Sequence, residues 1–387
     1  MNVHSDEPTH DFDTVIPRDG TASLKWDRYA GRDVLPFWVA DMDFQVAPVI
    51  QEALLERIQH PIYGYTLPPA GLAEAVISHL SAEYDWSVEA DWIVWLPGVV
   101  PGLAAACRAF CGTGEEALVN PPIYHHFFDS HEAPRQRLIE VPLQQIGQRR
   151  TYDIEAMRAA CTDQTRLLML CSPHNPVGTV FTAEELAEIG ELGIERELIV
   201  VSDEIHCDLV LDETVHHVPT ALACPALAPR LITLMSASKT FNIAGLNCSF
   251  AIIADKALRA RFAAGCRNLV PPVPPLAYAA TRAAYASGQG WRRQLITYLQ
   301  GNLALLAERV ADMPGLTLLP LQATYLAWID ATALGLDDPQ AFFEAQGVGL
   351  SNGQQFGQSG YLRLNFACPR SMLDAGLSRM AKALAGR

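Results

Sequence analysis

The sequence has no uninterrupted apolar run of about 18 residues, the least a membrane-crossing helix needs. Pro97, Pro101 and Gly102 break the longest candidate, from Val94 to Phe110. Basic residues are scarce relative to acidic ones, 28 Lys and Arg against 43 Asp and Glu. The resulting net charge of −15 argues against nucleic acid or an anionic membrane surface as a general partner. Nine cysteines occur, none in C-x-x-C spacing, and Met1 to Asp13 has no charged-then-apolar leader pattern. A reduced, cytoplasmic setting without disulfides is therefore expected. His125, His126, His131 and His206-Cys207 are not accompanied by C-x-x-C or H-E-x-x-H spacing, so no metal site is expected. Repeats and low-complexity tails are also missing. What is present is 387 residues, 50% of them hydrophobic, which is enough material for two domains rather than one core.

Apolar runs alternate with amphipathic stretches. Ala117 to Asn120, Leu167 to Cys171, Leu198 to Ser202, Leu231 to Met235 and Phe250 to Ile253 read as buried strands, with helices such as Ala183 to Arg196 between them. That alternation predicts an α/β fold with a mostly parallel sheet. The proline-rich stretch Asn268 to Pro275 breaks any helix and marks a change of organisation.

The ends of these strands carry the chemistry. After Leu231 to Met235 comes Ser236-Ala237-Ser238-Lys239-Thr240-Phe241-Asn242, which sets one lysine between hydroxyls. Burial and nearby positive charge lower a lysine's proton affinity enough for its amine to condense with an aldehyde. The hydroxyls of Ser236 and Ser238, with backbone N–H groups of the turn, suit a phosphate, so the segment fits a pyridoxal phosphate site. A solvated loop would show the same tetrapeptide. Upstream, Leu198 to Ser202 runs into Asp203, at the carboxyl end of a strand, where ligands of open α/β sheets gather. A carboxylate there can keep a pyridine nitrogen protonated, although a helix-capping aspartate would look alike. Leu167 to Cys171 leads into Ser172-Pro173-His174-Asn175-Pro176-Val177-Gly178, where Asn175 can donate to a ring oxygen.

In this order the segments resemble fold-type I pyridoxal-phosphate enzymes of the class I/II aminotransferase superfamily, over nearly the whole length. Phe12-Asp13, Lys25-Trp26-Asp27 and Leu35-Pro36-Phe37-Trp38-Val39-Ala40-Asp41-Met42-Asp43-Phe44 are similar to the MalY/PatB cystathionine β-lyase branch, as is Asp203-Glu204-Ile205-His206. The resemblance implies a large domain over 48–275 with a seven-stranded sheet, and a smaller α+β domain from 1–47 and 276–387. It assigns Lys239 as the catalytic amine, and Gly98, Val99 and Val100 to the cofactor phosphate at a helix N-terminus. It stacks Tyr124 on the cofactor ring, places His206 by the ring oxygen, and brings Tyr63 from the neighbouring subunit of a homodimer. Arg363 would grip the substrate α-carboxylate through paired hydrogen bonds, helped by Asn175 and a backbone N–H of Ala40. Trp38, Tyr124, His125 and His126 would line the side-chain pocket. Two departures stand out: His125-His126 replace prolines usual in the branch, and Asn247 stands where many aminotransferases carry a phosphate-binding arginine.

The implied activity is β-elimination from cystathionine or another cysteine S-conjugate, giving a thiol, pyruvate and ammonia. Transamination shares every step up to the carbanion and is the nearest alternative. A regulatory role, binding a transcription activator, is a distant one.

Overall fold

The structure, a computed structural model, describes residues 8–131 and 135–386; residues 1–7, part of the predicted small-domain segment and of the stretch Met1 to Asp13 read above, lie outside them. The central sheet has seven strands. In chain order they are β1 (Ile93–Leu96), β2 (Glu116–Val119), β3 (Arg137–Glu140), β4 (Thr165–Cys171), β5 (Ile199–Asp203), β6 (Leu231–Met235) and β7 (Ser249–Ile252). Their spatial order is β1-β7-β6-β5-β4-β2-β3. The pairs from β3 across to β6 are parallel, whereas β7 runs antiparallel to both β6 and β1. The five runs predicted as strands all appear. β1 and β3 were not foreseen: both lie at sheet edges, β1 is an apolar run of only four residues that stops at Pro97, and β3 begins and ends on a charged residue.

β4, β5 and β6 are almost wholly buried, as strands covered by helices on both faces must be. The helix Val99–Phe110 packs directly on the sheet at Gly102, where an added Cβ would meet Leu96 Cδ1 at 3.0 Å and Leu234 Cδ2 at 3.1 Å. On another face Ala183–Glu195 starts at a capping box: Thr182 accepts from the Glu185 backbone and Glu185 accepts from that of Thr182.

A second, four-stranded antiparallel sheet contains Leu326–Asp330 paired with Tyr361–Asn365. The N-terminal segment joins this end of the chain: Leu35–Pro36 pairs in parallel with Val348–Gly349. Asp43 N and Asn365 N extend the contact by donating to Ala367 O and Phe37 O. The stretch 38–44 is thereby laid across the carboxyl ends of β4, β5 and β6. The loop after β4 turns at Gly178, whose φ is +69° and whose added Cβ would overlap Leu321, so no other residue fits. No helix among the described residues is long and apolar enough to cross a membrane.

Candidate active site

Beyond the carboxyl ends of the central strands lies a cavity of about 640 Å³. Its lining includes Ala40, Gly98, Val99, Val100, Tyr124, Asn175, Asp203, His206, Ser236, Ser238 and Lys239. Segments far apart in the sequence are thus brought to one place, and most of the predicted site residues face it.

Lys239 projects from the turn after β6, and its Nζ donates to Ala40 O at 2.7 Å. Burial, reinforced by Arg363, lowers the pKa of this amine to about 8, while Asp41 and Asp203 oppose. Asp203 ends β5 with its carboxylate buried, so its pKa is raised to about 7 despite a hydrogen bond from Ile205 N. Lys239 offsets only part of the cost of that lost hydration, so the carboxyl group favours a further positively charged partner.

Gly98, Val99 and Val100 form the start of the Val99–Phe110 helix at the cavity wall, where the first N–H groups have no partner within the helix. Ser236 Oγ donates to Cys248 O at 2.7 Å and accepts from Ser238 N at 3.0 Å. Ser236 therefore orders the turn, while Ser238 is left with its hydroxyl beside the cavity. Asn247 also lines the wall, at a φ of +61°, so no guanidinium comes from that position.

Arg363 is 4% exposed. Its Nη1 donates to Asn175 Oδ1 at 3.0 Å, its Nη2 donates to Trp38 O at 2.9 Å, and its guanidinium lies over the Phe356 ring at 4.5 Å. Nε has no hydrogen-bond partner, and the acidic groups that act on this cation are only the phenols of Tyr124 and Tyr325. Burial holds its pKa down, to about 10. A buried cation with no carboxylate is costly unless an anion arrives.

The remaining predicted residues take various positions. Tyr124 is partly buried beside His125 and His126, with ring centroids 4.6 and 5.1 Å away. His206 is buried with its Nδ1 unpartnered, and desolvation lowers its pKa to about 3, so it stands neutral. Trp38 is partly exposed, donates to Lys25 O, and carries the Arg28 guanidinium on its ring. Ala40 engages the site through its carbonyl, the acceptor for Lys239 and, at 3.0 Å, for Tyr325 OH. Tyr63 is 54% exposed, and its hydroxyl donates to Ile58 O, outside the cavity. His125, its pKa lowered to about 4 by burial and by His126, and His126 itself stand beside Tyr124 rather than in the cavity lining.

Sequence reasoning missed four residues that shape the site. Tyr325 shares the Ala40 carbonyl with Lys239. Ser351 Oγ donates to Trp38 O, and Phe356 underlies Arg363. Asn242, at a φ of +57°, accepts from Met42 N and donates to Met42 O and Phe44 O. The structure marks the place where the sequence does not: Thr324, a β-branched residue preceding Tyr325, has a φ of +74°, the kind of strain that collects at functional sites.

The aminotransferase class I and II family model matches residues 32–380, and the chain belongs to that family. Cystathionine beta-lyase PatB of Bacillus subtilis (strain 168) is 37% identical over 96% of this chain and 99% of its own length. Among solved structures, OvoB aligns with a TM-score of 0.95 at 42% identity, covering 97% of this chain and 100% of OvoB. Cystalysin from Treponema denticola, solved with a pyridoxal 5'-phosphate cofactor, aligns with a TM-score of 0.93 at 31% identity, covering 98% of this chain and 100% of cystalysin.

Proposed function

We propose that the chain is a pyridoxal-phosphate-dependent carbon–sulfur β-lyase that cleaves cystathionine or another cysteine S-conjugate to a thiol, pyruvate and ammonia. The observation that carries this reading is the pairing of an amine with lowered proton affinity in the cavity wall and a buried guanidinium that lacks an anion, hydrogen-bonded to Asn175 of that wall although not itself in the lining. The donor set fits pyridoxal phosphate. Lys239 would hold its aldehyde carbon, Asp203 its ring nitrogen, and the Gly98 to Val100 helix start with the Ser238 hydroxyl its phosphate, while Ser236, whose hydroxyl is taken by Cys248 O, would hold the turn. Tyr124 would cover one ring face, and Asn175 and the unpartnered Nδ1 of His206 would lie on its oxygen side.

When bound, that cofactor supplies an electron sink for charge developing at the substrate α-carbon. The chain does the rest. Arg363 binds the α-carboxylate and so fixes the direction of the Cα–H bond. Lys239 Nζ, which sheds its proton near pH 8, takes the Cα proton. The Cβ–S bond then breaks with both electrons leaving on sulfur, and water completes the release of pyruvate and ammonia. Asp203 would be held ionised by a protonated ring nitrogen beside it.

The relatives' names favour elimination over amino-group transfer. Incubation with cystathionine, followed by thiol and pyruvate, tests the reading against incubation with alanine and a keto acid. Thiol release supports the lyase; amino exchange without thiol release overturns it. Loss of thiol release in Lys239→Ala, with borohydride fixing the cofactor to the Lys239 peptide in the parent only, tests the working amine.

The same reading carries an organisation. Residues 48–275 form the large domain, and 1–47 with 276–387 the small one, the strand pairing of Leu35–Pro36 with Val348–Gly349 supporting the discontinuous unit. The chain works in the cytoplasm as a homodimer whose Tyr63 reaches the neighbouring site. The exposed apolar series Leu55, Ile58, Ile62, Tyr63, Tyr65 and Leu67 supports that interface.

A further inference from the structure

The N-terminal segment holds a cluster of four charges directly behind the Ala40 turn. Lys25 is fully buried, and its Nζ donates to Asp43 Oδ2 at 2.7 Å and to Asp41 O at 3.2 Å, with Asp41 Oδ1 at 3.6 Å. Arg18 closes the ring from the other side, reaching Asp43 Oδ1 at 2.6 Å and Asp41 Oδ2 at 2.7 Å. Trp26 Nε1 donates to Asp43 Oδ1 at 2.8 Å. Two cations and two carboxylates thus cancel. A buried, hydrogen-bonded ion set gains little stability over an apolar replacement of the same volume, so its use is better sought in what it positions.

What it positions is the backbone between Asp41 and Asp43. Asn365 Nδ2 donates to Val39 O and, at 2.6 Å, to Asp41 O, and Asn242 holds Met42, so the turn is fixed from three sides. At its apex the Ala40 carbonyl meets Lys239 Nζ. The charged and titratable groups facing that amine are Arg363 from the strand Tyr361–Asn365, Asp203 from β5, His206 after it, and Asp41 from this turn. Tyr325 shares its carbonyl acceptor.

We propose that Arg18, Lys25, Asp41 and Asp43 form a positioning unit for Lys239, which keeps the Ala40 carbonyl against Nζ and keeps the neighbouring Asp41 carboxylate compensated by two cations. Without the two cations, Asp41 acts on Lys239 as an uncompensated negative charge and retains the proton. Arg18, Lys25 and Asp43 act only through this turn.

The inference rests on Lys239 as the working amine and not on the reaction class, so it is tested on the full chain without cofactor. Acetylation by acetic anhydride across pH, read for the Lys239 peptide by mass spectrometry, reports the protonation midpoint of that amine. The chain has four lysines, and the exposed Lys256 and Lys382 serve as internal references. Lys25→Met is expected to raise the Lys239 midpoint by about one unit, the size a newly unpaired neighbouring charge produces. Lys25→Met combined with Asp43→Asn restores neutrality and is expected to return the midpoint to the parent value, which a merely structural role would not do. Should Lys25→Met fail to fold, Arg18→Gln, at the partly exposed edge of the cluster, is expected to raise the midpoint in the same direction. A midpoint within about 0.2 units of the parent in the folded single variant, or a double variant as shifted as the single, would overturn the proposal.

Discussion

Arg363 Nη1 donates to Asn175 Oδ1 at 3.0 Å, joining the small antiparallel sheet to the loop after β4. This hydrogen bond fixes the plane of the guanidinium while leaving Nε unpartnered. Arg363→Lys keeps the charge but removes the planar fork, so substrate binding weakens although the amine stays buried. We expect KM for cystathionine to rise by about 10–100-fold with a smaller change in kcat, because weaker binding of the carboxylate in ground and transition states alike appears in KM. An equal fall in kcat at unchanged KM would place Arg363 elsewhere in the reaction. Asn175→Ala frees the guanidinium without removing it, and a KM rise of about tenfold is expected.

Asp203 ties cofactor binding to pH. Its pKa is about 7 in the folded chain against 3.8 for the ordinary side chain, because burial disfavours the ionised form. Between those values the folded protein holds a proton that the unfolded chain has released, so folding stability falls as pH rises from about 4 to about 7. The full loss is on the order of 4 kcal/mol. Urea midpoints of the cofactor-free chain are expected to decline across that window, and Asp203→Asn is expected to flatten the decline. If Asp203 holds the ring nitrogen as proposed, the ring cation would compensate the carboxylate, and stabilisation by the cofactor is expected to grow with pH. A parent profile no steeper than that of Asp203→Asn would contradict this.

Asp203, Lys239 and Asn175 were legible because each stands at the end of a buried apolar run, where sequence order alone places ligand-binding groups. Tyr325 was not, since its hydrogen bond to Ala40 spans 285 positions and nothing in Thr324-Tyr325-Leu326 announces it. Ser351 and Phe356 are similar: they lie on or beside strands of only two to five residues, too short for a period to register. β3 escaped because its end residues, Arg137 and Glu140, are exposed and charged. The joining of the N-terminal segment to the C-terminal part was expected only through resemblance, and its strand pairing with Val348–Gly349 was not foreseen, as two-residue strands carry no pattern of their own. The polar set around Asp208 gave no sequence signal at all.

That set predicts an acid-sensitive link between helices. Asp208 Oδ1 accepts from His79 Nε2 at 2.8 Å, Tyr84 OH at 2.6 Å and Arg292 Nη1 at 2.9 Å. Burial alone would raise the Asp208 pKa, but His79 and Arg292 outweigh it and hold the carboxyl well below its usual range. The stabilisation is therefore present above about pH 4 and is lost as pH falls toward the depressed value. Asp208→Asn leaves Arg292 partly uncompensated and is expected to cost about 3–5 kcal/mol at neutral pH. It should also reduce the difference between stabilities measured at pH 7 and pH 3, read from urea unfolding. An unchanged pH dependence would assign acid sensitivity to other carboxylates.

Tyr63 tests the two-chain site. Its ring is half exposed, and its hydroxyl reaches only Ile58 O of its own chain, so it contributes nothing to the cavity of the same subunit. If it completes the neighbouring site, Tyr63→Ala and Lys239→Ala are each deficient for different reasons. Mixing them after dissociation and reassociation produces hybrid dimers in which one site has both the amine and the tyrosine. Random pairing of equal amounts restores roughly a quarter of the parent sites. Thiol release approaching that fraction, well above the sum of the two variants assayed apart, is the expected outcome. Activity no greater than that sum, with hybrid dimers confirmed by native mass spectrometry, would confine Tyr63 to its own subunit.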